Sequence, residues 1–328
     1  MKKRFITAIA SLLLIVPIIT LSGCADTSWA IKVNGEKVPS GMYVYSLMSI
    51  TATILEYSDS ASSDVWTQKI DNTDAQTWAI NQAIKYTAAY IMTEKLCAQE
   101  KITLTSTEKS AADSQASATY SSATSALSKS GVSLSSLDRI LEDSQLATKL
   151  YNYYYGTSGT KTISDTDFKT YCNDYVHVKH IFFNNKDDEN NALTGSALQA
   201  VKDKANSVLA MVKKDPSKFD ALAKKYSEDT NGLSSNPDGY TFKKGTTEYV
   251  TDFVTAAGDM KIGEIRLVTS TLGLHIMYKL ALNNTTMLTQ YKQDQFQSLL
   301  DTAVSKATIV QNASAINAYT PKKISANS

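Results

Sequence analysis

The chain has 328 residues, 43% of them hydrophobic and 20% charged, a composition that excludes a disordered chain and, at roughly 150 residues per domain, predicts about two domains. Its 33 Lys and Arg against 32 Asp and Glu leave a formal charge of +1, so there is no net basic field of the kind that holds nucleic acid. Three cysteines (Cys24, Cys97 and Cys172) and three histidines exclude a disulfide framework and a zinc module built on paired cysteines.

The first 23 residues read as a secretory signal: a positive Lys2-Lys3-Arg4, an apolar run from Phe5 to Leu21 broken by Pro17, and small residues before Cys24. Leu21-Ser22-Gly23-Cys24 also resembles the bacterial lipoprotein signal. That resemblance implies cleavage before Cys24 and a diacylglyceryl group on its thiol. Two acyl chains on one residue hold a protein durably at a membrane, here the extracytoplasmic face of the cell membrane. An uncleaved membrane helix is the other reading, with the apolar run at the lower limit for a span. Without Lys2, Lys3 and Arg4 the chain keeps 30 positive and 32 negative residues. Cys97 and Cys172 are then free thiols or a disulfide.

Ile31 to Pro39 alternates apolar and polar residues around Asn34-Gly35, the strongest short hairpin signal. A helix is predicted from Ser40, with Met42, Tyr43, Tyr45 and Leu47. These Met and Tyr residues suit either core packing or a groove for unfolded chains. The 3.6 period of Ile80, Ile84, Ala88 and Ile91 predicts a second helix over 73–100. Thr105 to Glu108 reads as a capping box. The Ser- and Ala-rich stretch 106–136 shows little apolar face and reads as solvated helix or loop outside the core. A fourth helix is predicted over 135–155.

The Gly156–Thr162 stretch reads as a hinge-like linker. A short capped helix over 164–174 leads to a strand over 176–183, and a long amphipathic helix over 196–214 follows. Another helix comes after Pro216, then a Gly/Asn/Pro loop over 231–239. Strands are predicted over 240–243, 265–269 and 274–282. A last helix after Asn284, a strand near 308–310 and a frayed tail complete the chain. The apolar stripe of that last helix needs a partner, for which the N-terminal helices are the natural choice.

The chemistry is concentrated in 176–282. His180 sits in Val178-Lys179-His180-Ile181-Phe182-Phe183. Phe219-Asp220-Ala221-Leu222-Ala223 and Tyr226-Ser227-Glu228-Asp229 follow. Then come Gly239-Tyr240-Thr241-Phe242, Phe253-Val254-Thr255-Ala256-Ala257, Ile262-Gly263-Glu264-Ile265 and Gly273-Leu274-His275-Ile276-Met277. This ordered set closely resembles the parvulin family of peptidyl-prolyl cis/trans isomerases. With the lipoprotein signal, the hairpin and the returning helix, the whole resembles PrsA-type extracytoplasmic foldases and shares its plan with SurA-like chaperones.

The resemblance implies an α+β protein. A parvulin domain over 175–282, a small antiparallel sheet with covering helices, is inserted in a mostly helical chaperone-like domain. That domain is built from 24–163 and a C-terminal helix and strand over 284–315, with a tail over 316–328. It also implies site roles: His180 and His275 as paired histidines, Asp229 as the acidic partner and Ser270 as the hydroxyl beside the second histidine. Phe253 would be the proline-pocket aromatic, with Tyr249, Leu272 and Met277 as further substrate contacts. Tyr249 stands where the family usually has Met, and Leu272 where it usually has Ser, Phe or Tyr. His177, an odd number of residues from His180, falls on the opposite sheet face and reads as structural or exposed. The acidic Asp187-Asp188-Glu189 would repel a phosphorylated substrate.

Rotation about an X–Pro amide meets a barrier of roughly 20 kcal/mol from its double-bond character, and lowering it requires no cofactor. The expected partners are unfolded or partly folded secreted proteins with X–Pro bonds and a membrane through the lipid anchor, with no nucleic acid; a homodimer stays open. Two rival readings remain. One is a non-catalytic holdase that keeps the parvulin fold. The other is a solute-binding lipoprotein, which would need two lobes with parallel strands.

Overall fold

The structure, a computed structural model, describes residues 28–56, 58 and 65–325. Cys24 and the signal over 1–23 lie outside the described residues. The chain divides into two compact units, one running from the first described residue to Thr162 and resuming at Lys292, the other spanning Ile163–Tyr291.

The first unit opens on a hairpin of β1 (Trp29–Val33) and β2 (Glu36–Pro39). Its turn residues Asn34 and Gly35 have φ of 51° and 88°, the paired positive values that a two-residue turn between twisted strands requires and that Asn-Gly supplies at least cost. α1 (Ser40–Glu56) follows directly and is buried nearly all round, with Met42, Tyr43, Val44, Leu47 and Met48 in the core. Those Met and Tyr side chains are therefore packing. A short β3 (Lys69–Ile70) and β4 (Thr73–Asp74) pair, and the Asp74 side chain then caps α2 (Ala75–Gln99).

α3 (Ser106–Ser122) begins with the capping box read from the sequence, Thr105 and Glu108 bonding each other's backbone N–H groups. α4 (Thr124–Lys129) and α5 (Leu134–Tyr155) follow. The stretch 106–136 is not wholly outside the core, as its composition suggested. Ala112, Ala116, Ala126, Leu127 and Val132 are all buried. Alanine has too small a side chain to raise an apolar signal, yet it lets helices approach closely, and α3 packs on α5 in this way.

In the second unit, Ser164 caps α6 (Asp165–Asn173), which leads into β5 (Tyr175–Asn184). Then come α7 (Gly195–Lys214), α8 (Phe219–Tyr226) and α9 (Thr230–Ser235). α9 is one short turn of helix inside the stretch expected to be loop, nucleated by the Asp229 side chain at its N-cap. β6 (Tyr240–Lys243), α10 (Thr251–Asp259), β7 (Ile265–Thr269) and β8 (Gly273–Leu280) complete it. The four strands form one antiparallel sheet in the order β6-β5-β8-β7. The unit is longer than 175–282 because Phe168 and Tyr171 of α6 pack, with tilted rings, against Tyr291.

Period-two alternation gives this sheet two different faces. Ile181, Phe183, Leu274 and Ile276 pack beneath α7 and α8. Val176, Val178 and Met277 pack with Tyr240, Phe242 and the α10 residues Phe253, Val254 and Ala257. His180 and His275 lie on this second face.

α11 (Asn284–Lys306) returns the chain to the first unit, where β9 (Ile309–Gln311) pairs antiparallel with β1, Val33 opposite Ile309. α12 (Ala313–Ala318) and α13 (Pro321–Ser325) follow. The tail is therefore not frayed over its described length: Ile316 and Ile324 are buried in the first unit's core. Cys97 and Cys172 are both free thiols.

Candidate active site

β5 is the organising strand. Its residues 177–184 pair with β8, whereas β6 covers only Tyr175 to Val178 on the other edge. The open edge beyond Val178 is taken by the segment after α8. Ser227 Oγ accepts from the Phe182 N–H at 3.0 Å, the Glu228 N–H donates to the Phe182 carbonyl at 2.9 Å, and Glu228 Oε2 accepts from the Asn184 N–H at 2.7 Å. This clamp sets Asp229 beside His180.

The register explains the rest. His180 lies opposite Met277 and Phe182 opposite His275, so all four share a face and the two imidazoles are diagonal neighbours. Their rings stack with centroids 5.3 Å apart and planes 13° apart, and the two Nδ1 atoms are 3.1 Å from each other. His180 Nε2 lies 2.9 Å from Asp229 Oδ2. Ser270 Oγ lies 2.8 Å from His275 Nε2 and accepts from the Leu272 N–H at 3.1 Å.

Asp229 accepts further bonds from the Tyr240 hydroxyl at 2.7 Å and the Gly232 N–H at 3.0 Å. The His180 bond, with help from Tyr240 and Gly232, holds its carboxyl well below the usual carboxylate range. An ionised carboxylate can only accept, so His180 Nε2 donates to it. Burial, reinforced by the neighbouring His180, holds His275 down to about 4, so it is neutral at pH 7. A neutral His275 carries a single ring N–H, so it donates to one of Ser270 Oγ and His180 Nδ1 and accepts from the other, and His180 Nε2–H donates to Asp229. Burial and the Asp229 bond push the Tyr240 phenol upward, so it too stays a donor.

Phe253 closes the group, its ring centroid 5.3 Å from His180 and 5.4 Å from His275. It is seated by Lys279 of β8, whose ammonium donates to the Ala257 carbonyl in the last turn of α10. Tyr249 packs edge-on to Tyr240 at 5.8 Å and against Phe253 at 5.9 Å. Phe182, half-buried, flanks His275 at 5.0 Å.

Of the residues singled out from the sequence, His180, Asp229, His275, Ser270, Phe253 and Tyr249 come together. Met277 has no exposed surface and backs the group from within the core. Leu272 is 46% exposed and joins through its backbone N–H alone. His177 instead bridges the Ala281 and Asp238 carbonyls. Sequence reasoning missed Tyr240, Gly232 and Phe182. Tyr240 could have been found from pairing: it lies opposite Val178, on the His180 face.

The neutral state of His275 has a thermodynamic consequence. The unfolded chain protonates this imidazole near 6.5, whereas the folded one does so only near 4. Its contribution is therefore fully present above pH 6.5 and is lost as pH falls toward 4, by up to about 3 kcal/mol. The Asp229 contribution, from a depressed carboxyl, is lost only below about pH 4. The urea midpoint for loss of amide-exchange protection over 175–184 is expected to drop between pH 7.5 and 5.0, and less in His275→Gln. Equal midpoints in the parent chain at the two pH values would contradict the neutral-imidazole assignment.

Residues 180–281 match the Rotamase family, described as the PPIC-type PPIASE domain. Proteins named foldase protein PrsA from Staphylococcus aureus strains Newman and N315 are each 32% identical over 146 residues, 44% of this chain and 42% of theirs. The aligned chain thus spans less than half the length of those curated relatives. Crystal structures of PrsA from Bacillus subtilis and of foldase protein PrsA from Streptococcus pneumoniae are both 20% identical, with TM-scores of 0.30 and 0.32. They cover 74% and 75% of this chain, which in turn covers 91% and 90% of theirs.

Proposed function

We propose, from the match of residues 180–281 to the PPIC-type peptidyl-prolyl isomerase domain family, that the chain is a foldase that isomerises X–Pro bonds in unfolded or partly folded secreted proteins. The observation that carries this reading is the continuous Ser270–His275–His180–Asp229 chain laid against the Phe253 ring. The PrsA names of the relatives support the same reading. The signal residues before Cys24 support attachment to the extracytoplasmic face of a membrane through a lipid on that cysteine.

The reaction needs no covalent step. Twisting the amide by a quarter turn destroys its resonance, leaving a ketone-like carbonyl and a pyramidal nitrogen. The partly exposed rings of Tyr249 and Phe182, beside the buried Phe253, offer a place for the pyrrolidine ring, so that burial of the ring holds the substrate while its carbonyl turns. A negative Asp229 near the carbonyl oxygen disfavours the charge-separated planar form more than the twisted one, which is differential stabilisation of the transition state. The two histidines keep that carboxylate fixed and ionised.

A proline-peptide isomerisation assay on the full mature chain tests this. The rate is expected to exceed the uncatalysed one and to scale with protein concentration. A rate equal to the uncatalysed one, with aggregation of a denatured client still suppressed, would favour the holdase reading. The exposure of Leu272 at the rim, where the family carries another residue type, is the observation on that side.

A further inference from the structure

The sheet of the first unit, in the order β2-β1-β9, has two unlike faces. Ile31, Val33 and Val38 point inward and have no exposed surface. Glu36 lies on that inward side and binds Lys95 of α2 and Arg139 of α5. The opposite side turns to solvent. There Lys32 of β1 lies between Lys37 of β2 and Val310 of β9, each directly opposite it in the register. Lys37 is exposed, and Val310 is 48% exposed. Half-buried Trp29 belongs to the same patch, because the Lys32 ammonium lies 4.8 Å from the centroid of its ring.

Folding alone does not call for this row. Like charges directly opposite one another on a sheet are destabilising. Glu36 is the only acid on the three strands, and it serves the other face. Among the described residues neither Lys32 nor Lys37 forms an ion pair. A lysine on an edge strand wards off pairing with other chains, but Lys32 is on the central strand, where no edge needs protecting. Two uncompensated cations beside a tryptophan and an exposed valine suit a partner that is anionic at its surface and apolar beneath.

The chain before β1 says where such a partner is. Only Ala25-Asp26-Thr27-Ser28 separate Cys24 from Trp29. Five residue steps span at most about 18 Å, so a lipid on Cys24 keeps Trp29 within that distance of a bilayer.

We propose that the solvent-facing side of the β2-β1-β9 sheet rests on a bilayer surface rich in anionic headgroups, with Lys32 and Lys37 against the headgroups and Trp29 and Val310 at the interface. The contact rests on the lipid-anchored reading of Cys24. Lysine side chains are attracted to an anionic leaflet, and indole is amphipathic enough to lie at its boundary. Tethering makes the contact intramolecular, so an attraction too weak to recruit a free chain is populated in an anchored one. A soluble polyanion would satisfy the two lysines but would offer nothing to Trp29 and Val310.

The full mature chain with its lipid, reconstituted in phosphatidylglycerol vesicles whose acyl chains are brominated near the headgroup, tests the proposal. Bromine quenches an indole only at short range, so quenching that is present in the parent and missing in Trp29→Phe reports this face. It is expected at low salt and should be lost at about 1 M salt, where the screening length falls to about 3 Å. Phosphatidylcholine in place of phosphatidylglycerol should abolish it as well. Lys32→Gln and Lys37→Gln should each weaken the contact about fivefold. Lys37→Gln relieves a like-charge pair, so its melting temperature should not fall and unfolding cannot account for the loss. Flotation with the vesicles at high salt reads the anchor separately. A chain that floats but shows no Trp29 quenching, or quenching indifferent to lipid charge and to both substitutions, overturns the surface contact and leaves the anchor standing. A chain that does not float overturns both. Binding of soluble polyglutamate by the parent, without bromine quenching, would give the face to a soluble acidic partner and also overturn the proposal.

Discussion

Asp229→Ala is expected to lower kcat/KM for X–Pro isomerisation by about 10²-fold, which corresponds to roughly 2.7 kcal/mol of lost transition-state stabilisation. Three donors converge on this carboxylate: His180 Nε2, the Tyr240 hydroxyl and the Gly232 N–H. Its removal takes away the negative charge and leaves the buried His180 and Tyr240 donors without an acceptor. Asp229→Asn keeps the shape but neutralises the charge. It should fall close to the alanine variant if charge matters and close to the parent if only hydrogen bonding does.

Gly232→Ala gives an independent route to the same result. A Cβ at position 232 would overlap Asp229 Oδ2 and the Tyr240 hydroxyl, so the carboxylate must leave His180 although no charge is deleted. Comparable loss in Asp229→Ala and Gly232→Ala, with melting behaviour retained, would tie activity to the placed carboxylate. Activity unaffected by any of the three substitutions would detach the network from catalysis and leave the fold as a scaffold.

The largest expected stability effect lies on the other face of the same strand. Phe183 of β5 has no exposed surface and packs with Ile181, Leu274, Ile276 and the α7 and α8 residues Val208 and Phe219. Phe183→Ala should cost about 3–5 kcal/mol, the transfer free energy of the ring plus the cavity left in a sheet that cannot collapse around it. The three tryptophans, Trp29, Trp66 and Trp78, all lie in the other unit, so intrinsic fluorescence is the wrong probe. Urea-dependent amide exchange across 175–184 is the right one, and a shift corresponding to less than about 1 kcal/mol would contradict the packing described here.

The two substitutions also separate fold from site. Successive β5 side chains alternate between the helix-covered face and the face that carries His180. Phe183→Ala should therefore unsettle the unit without touching a site hydrogen bond, and Asp229→Ala should do the reverse.

The sequence alone determined what depends on neighbours a few residues apart. Asn34-Gly35 demands positive φ at both positions and so makes a hairpin; Thr105 and Glu108 satisfy each other's backbone and so start a helix. The alternation through Val176, Val178 and His180 makes β5 a strand, and the ordered motifs marked His180, Asp229, His275 and Phe253 as one group. Tertiary structure decided whatever depends on which residues lie opposite one another. Tyr240 belongs to the site because of its pairing with Val178, and Gly232 because α9 starts at Asp229. The alanines of α3 and the tail residue Ile324 are core only because another element comes close enough to cover them.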